Sequence, residues 1–170
     1  INTDAGETLT VNAGNGTITT SSGGTLNAAG SLNADVSVSN GGTLVSTGGI
    51  TGALNNSGTA SVEGDVADGI TNNGTGVMTL TGDTTTTDVT NAGSITGGAG
   101  VDLTASGNAD NTGTMNIGGN LGVTGTLNTS NDLDVGGNLS AGNTTTSGTV
   151  DVVGNAGLGT LGNAATTNIG

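Results

Sequence analysis

Three stretches decide the fold. They are Gly113-Thr114-Met115-Asn116-Ile117-Gly118-Gly119-Asn120-Leu121-Gly122-Val123, Asn131-Asp132-Leu133-Asp134-Val135-Gly136-Gly137-Asn138-Leu139-Ser140-Ala141 and Gly148-Thr149-Val150-Asp151-Val152-Val153-Gly154-Asn155-Ala156-Gly157-Leu158. Aligned on Met115, Leu133 and Val150, they share one pattern: two apolar residues two apart, a short corner, then two more. Residues at i and i+2 point to the same side of an extended chain, so each pair marks a short strand facing a core. Gly tolerates positive φ, and Asn both tolerates it and hydrogen-bonds locally. The Gly/Asn triplets therefore sit where strands turn.

The same start recurs along the chain. Leu9, Leu26, Leu44, Ala60, Met78, Ile95, Met115, Leu133, Val150 and Ile169 are separated by 17, 18, 16, 18, 17, 20, 18, 17 and 19 residues. A period near 18 residues is that of a solenoid. A second apolar pair falls six and eight positions after a start: Val101 and Leu103, Leu121 and Val123, Leu139 and Ala141, Ala156 and Leu158. A third site, ten to twelve positions on, holds Val36, Leu54, Val89, Leu127 and Leu161. Three faces per coil follow, and the predicted fold is an all-β parallel β-solenoid. Its expected form is a right-handed three-sided β-helix of 9–10 coils, each of 16–20 residues. At about 4.8 Å per coil the rod is about 45 Å long. A helical alternative needs apolar spacings of three and four, which are not seen.

Asn56, Asn73, Asn91 and Asn111 recur just before the starts and are candidates for a stacked amide ladder. Turn preference accounts for them equally well. Two places break the core register, at Asn15 and at the run Thr84 to Thr87, which is expected to bulge out as a loop. With no Pro-rich linker and no charge block, residues 1–170 read as a single solenoid domain. The pattern is cut at both ends, near Ile1 and at Ile169, without the helix, Lys, Pro or bulge that usually blunts a sheet edge. The expectation is a segment or repeating unit of a longer rod or fibre, continued covalently or by end-to-end stacking of copies.

Composition narrows the function classes. Of 170 residues, 36 are Gly, 34 Thr and 22 Asn, more than half the chain. Lys, Arg, His, Cys, Pro and aromatic residues are absent, and 13 Asp and Glu leave a formal charge of −13. A chain without cations is repelled by phosphate backbones and anionic membrane surfaces, so nucleic acid is excluded as a partner. No run nears the roughly 20 apolar residues that span a bilayer, so no membrane insertion is expected. Without His, Lys or Cys there is no triad, Schiff base or thiolate chemistry, and the chain is read as a non-enzyme. No cofactor is required.

Carboxylates are the only ionisable side chains. Asp134 and Asp151 share the position after a start, and Asp65 and Asp83 the fifth position, so each pair is expected to stack across adjacent coils. Glu63, Asp65 and Asp68 form the densest acidic cluster. Ca²⁺ would relieve such repulsion, which makes Glu63, Asp65, Asp68, Asp83, Asp134 and Asp151 the candidate metal ligands. The alternative is that they are solvated carboxylates. Gly97-Gly98-Ala99-Gly100-Val101-Asp102 matches part of the calcium-binding nonapeptide of RTX β-rolls, but occurs once, and a corner explains it. A stacked carboxyl pair could suit a glycosidase, yet no aromatic residue offers a sugar platform. Thr8, Thr25, Thr43, Thr59, Thr114 and Thr149 form a row, but the regular TxT ladders that ice binding would need occur only locally, as at Thr8 and Thr10.

Segments such as Asn111-Thr112-Gly113-Thr114-Met115 and Thr90-Asn91-Ala92-Gly93-Ser94-Ile95 resemble the passenger regions of bacterial haemagglutinin-like and autotransporter adhesins. The resemblance is compositional and periodic and covers nearly the whole chain. It implies a secreted, extracellular or cell-surface structural protein that acts in adhesion or biofilm matrix, with itself and host or surface glycans as partners. Gly136-Gly137-Asn138-Leu139 and Ser147-Gly148-Thr149-Val150-Asp151-Val152 also look like repeats of phage tail fibres, the alternative beside a Ca²⁺- or glycan-binding module.

Overall fold

The structure, a computed structural model, describes residues 2–4, 6–11, 14–163 and 166–170, with the side chains of residues 2, 3, 11, 14, 15 and 163 outside that description. The expectations for Ile1 and the Asn15 side chain lie outside it as well. The fold is a parallel β-solenoid, and among the described residues there is no helix. Among the described residues every strand pairing is parallel, with successive coils bonding to one another.

The first face is a ten-stranded sheet running from Thr8–Val11 to Thr167–Ile169. Its ladder joins Leu9, Leu26, Leu44, Ala60, Met78, Ile95, Met115, Leu133 and Val150, nine of the ten expected starts. The tenth is corrected. Val150 pairs with Thr167, and Ile169 stands opposite Val152, two positions further in. Ile169 is 52% exposed. The slot is set by backbone distance from the preceding corner, and a Thr occupies it where the pattern of apolar residues pointed to Ile.

The third face carries two inward rows. One stacks Ile18, Val36, Leu54, Ile70, Val89, Ala109, Leu127 and Thr144. The other stacks Thr20, Val38, Asn56, Asn72, Asn91, Asn111, Thr129 and Thr146. On the second face Leu32, Ile50, Val66 and Thr86 form single bridges, and from Thr84–Thr86 onward regular strands follow. The three faces are separate through most of the rod. In the last coils, strands Leu121–Thr129, Leu139–Thr146 and Ala156–Asn163 run through the corner, and the second and third faces become one 12-stranded sheet. A register shift between Val123 and Thr126 absorbs the bend.

Two expectations on the second face are corrected. Thr84–Thr86 is a strand, not a loop, with Thr84 and Thr86 buried. Their hydroxyls donate to the Gly82 and Asp88 carbonyls, which makes the polar side chains tolerable inside. Leu103 and Ala105, rather than Val101 and Leu103, match Leu121 and Val123. The coil that begins at Ile95 carries its two extra residues in the first corner, and Val101 only packs against the margin of the core. That corner is the Gly97 to Asp102 segment, closed by the Val101 amide donating to the Gly98 carbonyl and by Gly100 at φ +77°.

Inside and outside alternate along the strands, except where Leu121–Thr129 and Leu139–Thr146 turn the corner. Strands such as Leu133–Val135 and Val150–Val152 bury their ends and expose their centre. The interior is lined mainly by Leu, Ile, Val, Met and Ala, joined by buried Thr, Ser and Asn, and holds no aromatic residue. At the turn between the third and first faces of the early coils, Gly23 and Gly41 have φ +78° and +79°, and the Gly23 amide donates to the Gly41 carbonyl at 2.8 Å. A Cβ at either would be strained, so glycine stacks on glycine.

Candidate binding surface

Three sets of polar side chains stand in register from coil to coil: an internal amide ladder, corner ladders, and two open columns on the third face. The internal ladder begins at Asn56. Its Nδ2 donates to Asn72 Oδ1 at 2.8 Å, Asn72 to Asn91 at 2.8 Å, Asn91 to Asn111 at 2.7 Å, and Asn111 to Thr129 Oγ1 at 3.2 Å. Each amide gives its second proton to a carbonyl of the next coil: Val77, Ser94, Thr114 and Asp132. All four Asn are buried. The ladder expected from the sequence therefore exists, with one correction: its second member is Asn72, not Asn73. Asn73 faces outward, and its Nδ2 donates to Asn55 Oδ1 and Ser57 Oγ at 2.7 and 2.9 Å. Period-two alternation decides between neighbours, and Asn72 shares its side of the strand with Ile70.

The corner ladders hold Asp83, Asp88 and Asp102. Asp83 Oδ1 accepts from the Asp102 amide at 3.0 Å, Asp102 from Asn120 at 2.6 Å, Asn120 from Asn138 at 2.8 Å and Asn138 from Asn155 at 2.9 Å. At the next corner Asp88 accepts from Asn108 at 2.6 Å and Asn108 from Thr126 at 2.9 Å. Where a bend takes a backbone N–H out of the sheet ladder, the Asx side chain of the coil below receives it.

Asp134 and Asp151 are brought directly opposite each other, both exposed. Asp65 and Asp83 are not. Asp65 accepts from the Thr85 amide at 3.1 Å, and Asp83 lies beside Asp102. The reason is a first corner two residues longer in the coil that starts at Met78, which moves Asp83 out of the row that holds Asp65. Glu63 and Asp68 are exposed at successive corners of the coil that starts at Ala60, on either side of Val66. Among the described residues no three carboxylates converge as a cation site would require.

Two outward columns run along the third face of the later coils. Asp110, Asn128 and Thr145 stand in register in one, and Thr112, Ser130 and Ser147 follow two residues on in the other. Between them lies a groove of about 400 Å³ floored by Asn111 and Thr129. Asn128 Nδ2 donates to Asp110 Oδ1 at 2.7 Å, while the hydroxyls of Ser130, Thr145 and Ser147 have no hydrogen-bond partner among the described residues. Nothing in the residue pattern singles out this groove, because it depends on which outward columns carry short side chains.

The Thr row of the first face is outward, as Thr8, Thr25, Thr43, Thr59, Val77, Ser94 and Thr114. Val77 breaks it, and the companion column contains Asn27, Val45 and Asn116, so it is not a TxT array. No family model, no curated protein and no solved structure matches the chain.

Proposed function

We propose that the chain is a non-enzymatic structural rod displayed on a bacterial cell surface, a segment of an adhesin, filament or matrix protein whose outer faces make the contacts. The observation that carries this reading is the unbroken ten-strand parallel ladder of the first face, built by one chain. Such a ladder propagates one geometry over any number of coils, each stabilised by its neighbours. Coils of a longer chain, or of a second copy, extend it by the same hydrogen bonds. The absence of Lys and Arg leaves trypsin no cleavage site, and backbone held in ladders resists other proteases, both of which suit an extracellular setting.

A phage tail-fibre segment is the second reading. It calls for three intertwined chains, whereas here each sheet is completed by successive coils of a single chain, which favours the surface rod. Electron microscopy with light scattering tests the choice. Single-chain rods, alone or joined end to end, are expected. Trimeric spikes or compact globules would sink the proposal.

A further inference from the structure

We propose that the groove between Asp110, Asn128 and Thr145 on one side and Thr112, Ser130 and Ser147 on the other binds a neutral, linear oligosaccharide lying along the rod axis. The inference rests on the surface-contact reading above and names its ligand class. Three observations converge. The groove has room for one or two sugar residues, at about 400 Å³. Its walls repeat once per coil, about 4.8 Å, close to the length of one pyranose unit, so a linear chain meets one polar side chain of each wall at successive residues. Its polar groups are unspent: the Ser130, Thr145 and Ser147 hydroxyls donate to nothing among the described residues, and Asn128 holds Asp110 Oδ1 in place while leaving its own Oδ1 unused.

The same face shows what closes such a groove. In earlier coils Asn73 reaches across to the other column, donating to Asn55 at 2.7 Å, and bonds along its own column to Ser57 at 2.9 Å. Ser130 and Ser147 are too short to do so. Charge selects the ligand further. Asp110 sits in the groove, and the chain has a formal charge of −13 with no cation to offset an acidic sugar. Uronates and sialylated or sulfated glycans are therefore disfavoured. With no aromatic residue for a sugar ring to stack on, affinity per site is weak, in the millimolar range, and useful binding comes from many sites along an extended rod.

The test is a titration of the ¹⁵N-labelled chain with cellohexaose, maltohexaose and laminarihexaose, and with tetragalacturonate as the charged counterpart. At least one neutral hexaose is expected to shift amides of residues 110–112, 128–130 and 145–147, with tetragalacturonate producing no such set. Ser130→Asn, which copies the closure by Asn73, is expected to weaken binding about fivefold or more. Ser147→Ala provides a milder second variant, and melting curves verify that both fold. No localised shift with any neutral hexaose, equal binding of tetragalacturonate, or an Ser130→Asn chain that binds as wild type would overturn the inference. Small-angle scattering on the same sample separates this from failure of the rod proposal: an intact rod without shifts removes only the glycan groove, and a non-rod particle removes the parent reading.

Discussion

Asn72 donates its side-chain Nδ2 to Oδ1 of Asn91 at 2.8 Å, and both amides are wholly enclosed by the solenoid. The bond is one link of a chain in which every amide points its protons toward the next coil. Each bond polarises the next in a low-dielectric interior, and each amide is satisfied only while its neighbours are present. Asn91→Leu leaves Asn72 short of an acceptor and Asn111 Oδ1 short of a donor. It is expected to cost about 2–4 kcal/mol in urea unfolding. Asn73→Ala, one residue away from the ladder on the outer surface, costs less than about 1 kcal/mol. Equal losses would mean that the buried ladder has no special weight.

Thr144 provides the opposite sign. Its Oγ1 is the buried side-chain atom without a hydrogen-bond partner among the described residues, held between Leu127 and Leu161 in the third-face row. Thr144→Val keeps the shape and removes the orphan hydroxyl, so thermal unfolding is expected to show a gain of about 1 kcal/mol. Thr146→Val, whose hydroxyl donates to the Gly148 carbonyl at 3.0 Å, is expected to lose a similar amount.

Close backbone approach makes another pair. A Cβ on Gly113 would collide with the Gly93 carbonyl oxygen and come within 2.7 Å of the Ala92 carbonyl carbon, whereas a Cβ on Gly157 meets nothing within 4 Å. Gly113→Ala must push two coils apart and is expected to lose about 2–3 kcal/mol. Gly157→Ala is expected to be neutral or to gain about 0.4–1 kcal/mol by restricting the unfolded chain. A tolerated Gly113→Ala would show that adjacent corners can part without loss.

Asp134 and Asp151 face each other without a counter-charge. Asp151→Asn is expected to stabilise the rod by about 0.2–1 kcal/mol at low salt, with the gain fading as ionic strength rises past about 0.1 M. Because these two exposed carboxylates supply few of the oxygens Ca²⁺ needs, millimolar Ca²⁺ is expected to raise the melting temperature no more than NaCl of equal ionic strength. A Ca²⁺-specific rise that disappears in Asp151→Asn would establish the pair as a metal site.

The sequence by itself determined the parallel solenoid, the three faces per coil and nine of the ten coil starts, because a thin core admits apolar side chains only at fixed backbone intervals. Leu26, Leu44 and Met78 could be aligned from spacing alone. Tertiary structure decided whatever depended on where the extra residues of a longer coil are placed. Insertions at the first corner of the coils beginning at Met78 and Ile95 set Asp83 beside Asp102 rather than Asp65, and gave Val101's expected place to Leu103. It also decided that Thr84 and Thr86 enter the core, that Asn72 rather than Asn73 joins the ladder, and that short side chains in two outward columns leave a groove. These choices are invisible in a linear pattern for one physical reason: lateral hydrogen bonding fixes each coil against its neighbours, and a side chain's inward or outward position follows from that register instead of from its own polarity.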